Sequence, residues 1–272
     1  MTYTVAAFYK FVSLPDLPLK QVSLRVQCQE QGILGTILLA TEGINGTIAG
    51  SAEAIESIIA YIHSDPCLAD LEYKQSYSDT PPFKRLKVKL KKEIVSLGVN
   101  GVDPNHQVGT YVNPQDWNAL LSDPDIVVID TRNKFEVDIG SFKDALNPQI
   151  ATFHDFPEYV SRHLDPSTHQ KVAMFCTGGI RCEKASSFLL SQGFQEVYHL
   201  KGGILKYLEE VPASESLWQG ECFVFDERIA VTQGLAQGTY DSCKGCGHPI
   251  SEADKSMPQY QKGISCPYCA SA

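Results

Sequence analysis

No apolar run in this chain of 272 residues reaches the roughly 20 residues a membrane helix needs, so no spanning segment is expected. The stretch from Met1 to Lys10 has no charged region followed by an apolar one, which argues against a secretory signal. There is no internal repeat and no long low-complexity tract. A complete dinucleotide-binding glycine fingerprint is absent, and so is a P-loop, so nothing announces a nucleotide cofactor. Positive charge is scarce: the net charge is −9, which alone argues against a nucleic-acid partner. Cysteine is not scarce. The count of nine is odd, four lie in metal-ligand spacing, and the other five are scattered. That usage fits a reducing, cytoplasmic setting better than a disulfide framework.

The remaining composition, 43% hydrophobic and 20% charged, is that of a globular protein long enough for two or three compact units. An α/β multidomain chain is expected. Residues 1–99 alternate between element types in the order βαββαβ, a ferredoxin-like α+β module. Strands are expected at Thr4–Phe11, Gly35–Ala40, Thr47–Ala49 and Leu71–Tyr77. Thr41 to Gly46 reads as the turn between the second and third, with two glycines for positive φ. Helical spacing runs through Leu19, Val22 and Val26, and again through Ile55, Ile58, Ile59 and Ile62. His63 and Asp65 formally match part of an iron site, but Pro66 follows, and helix termination accounts for them better.

A further strand, Phe83–Leu90, begins a local reversal of charge. Residues 84–92 carry six cations and no acid; removing them from the net −9 leaves −15 on the rest of the chain. Alternation sends Arg85, Lys87, Lys89 and Lys91 to one face and Leu86, Val88 and Leu90 to the other. Two readings stay open: an edge strand guarded by lysines, or a ridge that tracks phosphates.

Residues 100–212 read as a second domain after a Gly- and Pro-containing linker. Ile126–Ile129, Val172–Phe175 and Val197–Leu200 are continuous apolar runs, as in strands buried on both faces. Helices at Pro114–Leu121, Phe156–His163 and Glu183–Ser191 separate them, implying a mainly parallel sheet covered by helices. Ligands in such sheets bind beyond the carboxyl ends of the strands. Cys176 lies at such an end and opens the run Cys176-Thr177-Gly178-Gly179-Ile180-Arg181-Cys182. A strand, a tight turn and a helix N-terminus therefore meet at one thiol. The turn's N–H groups and the Arg181 cation favour thiolate, the nucleophilic form. Cys182 is either a resolving thiol or a small packing residue.

Residues 213–272 form a smaller C-terminal segment. Glu221–Arg228 offers one short apolar strand, and the pairs Cys243/Cys246 and Cys266/Cys269 follow, with nineteen residues between Cys246 and Cys266. Two such knuckles make a ribbon-like site of four cysteines, with every ligand position filled and none open. A structural zinc is expected there, with iron as the other candidate.

The thiol loop, with Asp130-Thr-Arg132, Glu136, Gly140, Ser141-Phe142, Ala145 and Val197–Ile204, resembles the rhodanese domain. That resemblance makes Cys176 the catalytic cysteine and Asp130 and Arg132 its supporting scaffold. The complete order is more specific. Leu38–Gly50 in the N-terminal module, the loop, Gly220–Arg228 and the cysteine knuckles together resemble the bacterial rhodanese-containing tRNA uridine hydroxylase family. The family implies oxygen-dependent conversion of the wobble uridine of tRNA to 5-hydroxyuridine, with tRNA as partner and Cys176 as the essential thiol. The alternative is a plain sulfurtransferase carrying a persulfide on Cys176.

Overall fold

The computed structural model describes residues 2–270, so the outermost positions of the first and last sequence segments, 1 and 271–272, lie outside it. Two compact units divide the chain, residues 1–108 and 109–272.

The first unit runs β1 (Tyr3–Phe11), α1 (Leu17–Glu30), β2 (Leu34–Ala40), β3 (Gly43–Gly50), α2 (Ala52–His63), β4 (Tyr73–Ser78) and β5 (Leu86–Leu90). The sheet order is β4-β1-β3-β2-β5. Its first four strands are antiparallel, and β5 adds a parallel edge beside β2. Ile37 and Leu39 of β2 and Ile44 and Ile48 of β3 are fully buried, and they meet Ile55, Ile58, Ile59 and Ile62 of α2 in one cluster. Ser51 caps α2, its hydroxyl accepting from Ala54 N–H at 3.2 Å.

Two local expectations need correction. The β2–β3 turn is only Thr41-Glu42, because β3 already begins at Gly43. Gly46 therefore lies inside β3, where a Cβ would come within 2.7 Å of the Phe8 ring; close packing, not a turn, calls for glycine. The expected stripe on α1 also faces outward: Leu19, Val22 and Val26 are 72%, 61% and 43% exposed. Leu24 and Cys28 enter the core instead, with Leu17 packed against it. These two apolar rows lie on opposite sides of a 3.6-residue helix, so periodicity alone could not choose between them.

The second unit contains β6 (Thr110–Val112), α3 (Pro114–Leu121), β7 (Ile126–Asp130), α4 (Lys134–Val137), β8 (Gly140–Phe142), α5 (Phe156–His163), β9 (Lys171–Phe175), α6 (Ile180–Ser191), β10 (Glu196–Leu200) and α7 (Gly203–Glu210). Strands β6-β10-β9-β7 form a parallel sheet. Central β9 is apolar and buried from Val172 to Phe175, as a strand covered on both faces should be. β7 departs from that expectation: Ile126, Val127 and Val128 are half-buried because β7 is the outer strand of the four.

The C-terminal segment is tied to this unit by β11 (Trp218–Gly220), which pairs with β8. The expected strand at 221–228 shrinks to β12 (Cys222–Phe223), which pairs with β13 (Ala230–Val231) as a hairpin. Beyond it, β14 (Asp241–Ser242), β15 (Pro249–Ile250) and α8 (Glu252–Lys255) frame the cysteine knuckles. No helix among the described residues is long and apolar enough to cross a membrane.

Candidate functional site

Buried β9 delivers Cys176 to the carboxyl end of the sheet, and α6 begins four residues later at Ile180. The loop can turn this tightly because Gly179 adopts φ 105°, a region open to glycine at little cost. Its N–H then points inward and donates to Cys176 Sγ at 3.2 Å. The loop is gripped from behind by the start of α7, where the N–H groups of Ile204 and Leu205 donate to the carbonyls of Cys176 and Thr177, each at 3.0 Å. The thiol is fully buried. Gly178 is half-buried with open space where a Cβ would stand, so the loop is least enclosed there.

Burial alone would raise the Cys176 pKa. Donation from the Cys182 thiol, the Arg181 charge and the N–H groups of Cys182 and Gly179 outweigh it and lower the value to about 5. Cys182 moves the other way: burial and its bond to Cys176 hold it well above the ordinary range. It is thus the protonated donor of the pair, with Thr131 Oγ1 3.5 Å from its sulfur.

Arg181 is more constrained than the sequence reading supposed. Glu136 of α4 clasps it bidentately, Nη1 to Oε2 at 2.6 Å and Nη2 to Oε1 at 2.8 Å. Thr177 Oγ1 accepts from Arg181 Nη2 at 3.1 Å and donates to Glu136 Oε1 at 3.2 Å. The loop's cation therefore has a buried counter-anion. Burial opposes ionisation of Glu136, but the charges of Arg181 and Arg132, with Arg181's hydrogen bonds, hold its pKa below the usual carboxylate value. Sequence reasoning quoted Glu136 only as part of a resemblance. The usable signal was Asn133-x-x-Glu136, a capping box whose Glu136 Oε2 accepts from Asn133 N–H at 3.1 Å.

Asp130 and Arg132 lie deeper. Arg132 donates to both Asp130 oxygens, at 2.8 and 2.6 Å, and to the carbonyls of Glu136 and Gly140. Trp218 lies 5.1 Å from its guanidinium carbon. This clasp braces the elements that carry Glu136. On the outer side of the loop, Phe225 of the β12–β13 hairpin places its ring 5.9 Å from the Arg181 guanidinium carbon, a neighbour that sequence reasoning did not identify.

The four tail cysteines converge, their sulfurs all within 4.8 Å of one another. Cys243–Cys269, Cys246–Cys266 and Cys266–Cys269 are separated by 4.0, 3.7 and 3.8 Å. A tetrahedron with metal–sulfur bonds of about 2.3 Å has edges of about 3.8 Å, so the donor set fits one metal ion.

In the first unit, β5 is the sheet edge, with Arg85 just before it and Lys91 just after. Arg85, Lys89 and Lys91 are exposed, Lys87 is half-buried and Val88 is buried. Alternation fails at Leu90, which is 40% exposed at the strand's end. The outer edge is partly covered: Val88 O accepts from Gln21 Nε2 and Arg25 Nη2 of α1, at 2.9 and 3.0 Å. His63 and Asp65 are engaged locally, His63 with the Leu71 carbonyl and Asp65 with Lys20 and Cys67 N–H.

Residues 3–94 match the UPF0176 acylphosphatase-like domain and residues 113–210 match the rhodanese-like domain. Over 270 residues the chain is 59% identical to a tRNA uridine(34) hydroxylase of Picosynechococcus sp., covering 99% of this chain and 91% of that protein. The chain belongs to the tRNA uridine(34) hydroxylase family. Solved structures match a smaller part. A rhodanese-like domain from Anabaena sp. is 20% identical, with a TM-score of 0.34, covering 40% of this chain and 78% of its own. A rhodanese-related protein from Thermoplasma volcanium is 26% identical, with a TM-score of 0.31, covering 38% and 93%.

Proposed function

We propose that this chain hydroxylates C5 of uridine 34 in tRNA, with Cys176 as the reacting thiol. The observation that carries the chemistry is the Cys176 thiolate, held in a donor-lined loop within the part of the chain that matches the rhodanese-like domain. A thiolate is a soft nucleophile suited to C6 of uracil. As Sγ bonds to C6, the C5–C6 π pair moves toward C5 and O4, making C5 electron-rich. C5 then meets the oxidant, which the family resemblance makes molecular oxygen. One oxygen atom enters at C5; the other leaves as water, consuming two electrons and two protons from a reductant. Loss of the C5 proton expels Cys176 and restores the double bond. Cys182 serves this cycle as the thiol that donates to the thiolate, Arg181 as its fixed cation, and Asp130 and Arg132 as the brace. Base entry requires the closed loop to yield beside Gly178.

Nucleoside mass spectrometry of tRNA tests this reading. Cells lacking the protein should lose 5-hydroxyuridine and regain it with the wild-type gene. Unchanged 5-hydroxyuridine, together with rapid persulfide transfer by the purified protein, would replace the hydroxylase reading with a sulfurtransferase one.

The β5 ridge supplies the RNA contacts in this reading. A variant with Arg85, Lys87, Lys89 and Lys91 all changed to alanine should bind tRNA more weakly. The slope of log affinity against log salt should also flatten by about 3, as four lost phosphate contacts require. An unchanged slope would remove these residues from the interface.

The knuckles suit a structural zinc held by Cys243, Cys246, Cys266 and Cys269, a closed four-thiolate shell that supplies folding energy and no reaction site. Chelation should release about one metal ion per chain and make residues 239–270 cleavable by protease while the sheet of the second unit survives. A metal-free purified protein with a protease-resistant tail would refute the site.

A further inference from the structure

An exposed aromatic ring beside the thiol loop has no role in the fold described above. Phe225 is 63% exposed, although its neighbours Phe223, Val224 and Asp226 are all buried. Leaving most of a phenylalanine side chain in water forfeits burial free energy. The turn that presents it is built to do so. Asp226 accepts from Arg228 Nε and Nη2, at 2.9 and 2.6 Å, and from Arg228 N–H at 3.0 Å. This repeats the Asp-x-Arg clasp of Asp130 and Arg132. Ile229 follows at φ 65°, a costly conformation for a β-branched side chain that holds only where its surroundings fix it. Val224 N–H donates to the Ile229 carbonyl at 2.9 Å and closes the turn. Phe223, edge-on to Phe225 with centroids 5.0 Å apart, anchors the exposed ring from below. Phe225 is thus an exposed aromatic ring on a braced turn, 5.9 Å from the guanidinium of Arg181, five residues along the loop from Cys176.

We propose that Phe225 is the stacking platform for the uracil base that Cys176 attacks. Single-stranded bases are commonly held by aromatic faces, and a base undergoing chemistry must leave its stack and be received by another surface. A phenyl ring offers stacking without selecting among bases, so Phe225 positions the base and the thiol loop acts on it. This inference rests on the hydroxylase reading and deepens it.

The test uses the full-length chain and four variants. Stacking is felt alike by bound substrate and transition state, so Phe225→Ala should raise KM for tRNA between about fivefold and a hundredfold, with kcat little changed. Phe225→Leu should behave like Phe225→Ala, and Phe225→Tyr should stay within about threefold of wild type. Thermal melting should fall by no more than a few degrees in all three, because the ring is mostly exposed and meets the fold at Phe223 and Arg181. In Phe225→Trp, the emission added to that of Trp117 and Trp218 should be quenched by an oligouridine pentamer. Normal kinetics in Phe225→Ala, full rescue by leucine, or unquenched emission would each overturn the proposal. A wild-type protein that forms no 5-hydroxyuridine would sink the hydroxylase reading instead, and the quenching experiment would still decide whether Phe225 stacks on a base.

Discussion

Changing Cys176 to serine should reduce 5-hydroxyuridine in tRNA to the level of cells lacking the protein, a loss of at least about a thousandfold in rate. The two side chains differ by one atom, so packing in the buried loop is nearly conserved. Ionisation is not. The donors around position 176 lower a thiol from 9.0 to about 5, which leaves it as thiolate at neutral pH. The same field acting on a hydroxyl leaves it protonated and weakly nucleophilic. The variant should fold, bind tRNA and melt like wild type, which separates a lost nucleophile from a lost structure. A pH profile checks the cause. Because the thiol pKa is lowered, the reactive form is present above that value, and kcat/KM should fall as pH drops through about 5. A profile rising only near 9 would show an ordinary thiol, and a fully active serine variant would remove Cys176 from the chemistry.

Much of this site could be read from the sequence because its determinants are local. The thiol loop is one strand, one turn and one helix start in consecutive residues, and the cysteine knuckles are defined by spacing. The order of elements in the first unit was also legible, since each strand and the Ile55–Ile62 helix carry their own period. What escaped depends on partners distant in the chain. The Glu136–Arg181 clasp joins residues forty-five positions apart, and it changes the meaning of Arg181 from an open cation to half of a buried pair. The face that α1 buries depends on which of two opposite apolar rows meets the sheet. Phe225 looked like one residue of a short strand; only the Asp226–Arg228 clasp and the backbone at Ile229 turn it outward beside Arg181.

That clasp between Glu136 and Arg181 should make Glu136→Gln strongly destabilising. The amide is nearly isosteric, and it still offers an oxygen to Asn133 N–H. It leaves Arg181, 7% exposed, as a buried cation without its hydrogen-bonded carboxylate, with the Cys176 thiolate as the main remaining counter-charge. Breaking such a pair from one side costs about 3–5 kcal/mol, which for a unit of this size lowers Tm by roughly 10 °C. A second effect runs in the other direction. With the carboxylate gone, the Arg181 charge is less compensated at Cys176, so the thiol that remains folded should titrate below its wild-type value. Thiol-specific alkylation followed against pH, below the melting temperature, reads that shift. A residue that merely fills space would lower Tm and leave the titration where it was. Removing both charges separates the two contributions. Glu136→Leu combined with Arg181→Met should recover most of the lost stability, because no unpaired charge stays buried. It should also return the Cys176 thiol toward its ordinary range and slow the reaction. If the double variant stays as unstable as Glu136→Gln, or keeps an acidic thiol, then Arg181 and Glu136 do not act as a pair that sets the charge at Cys176.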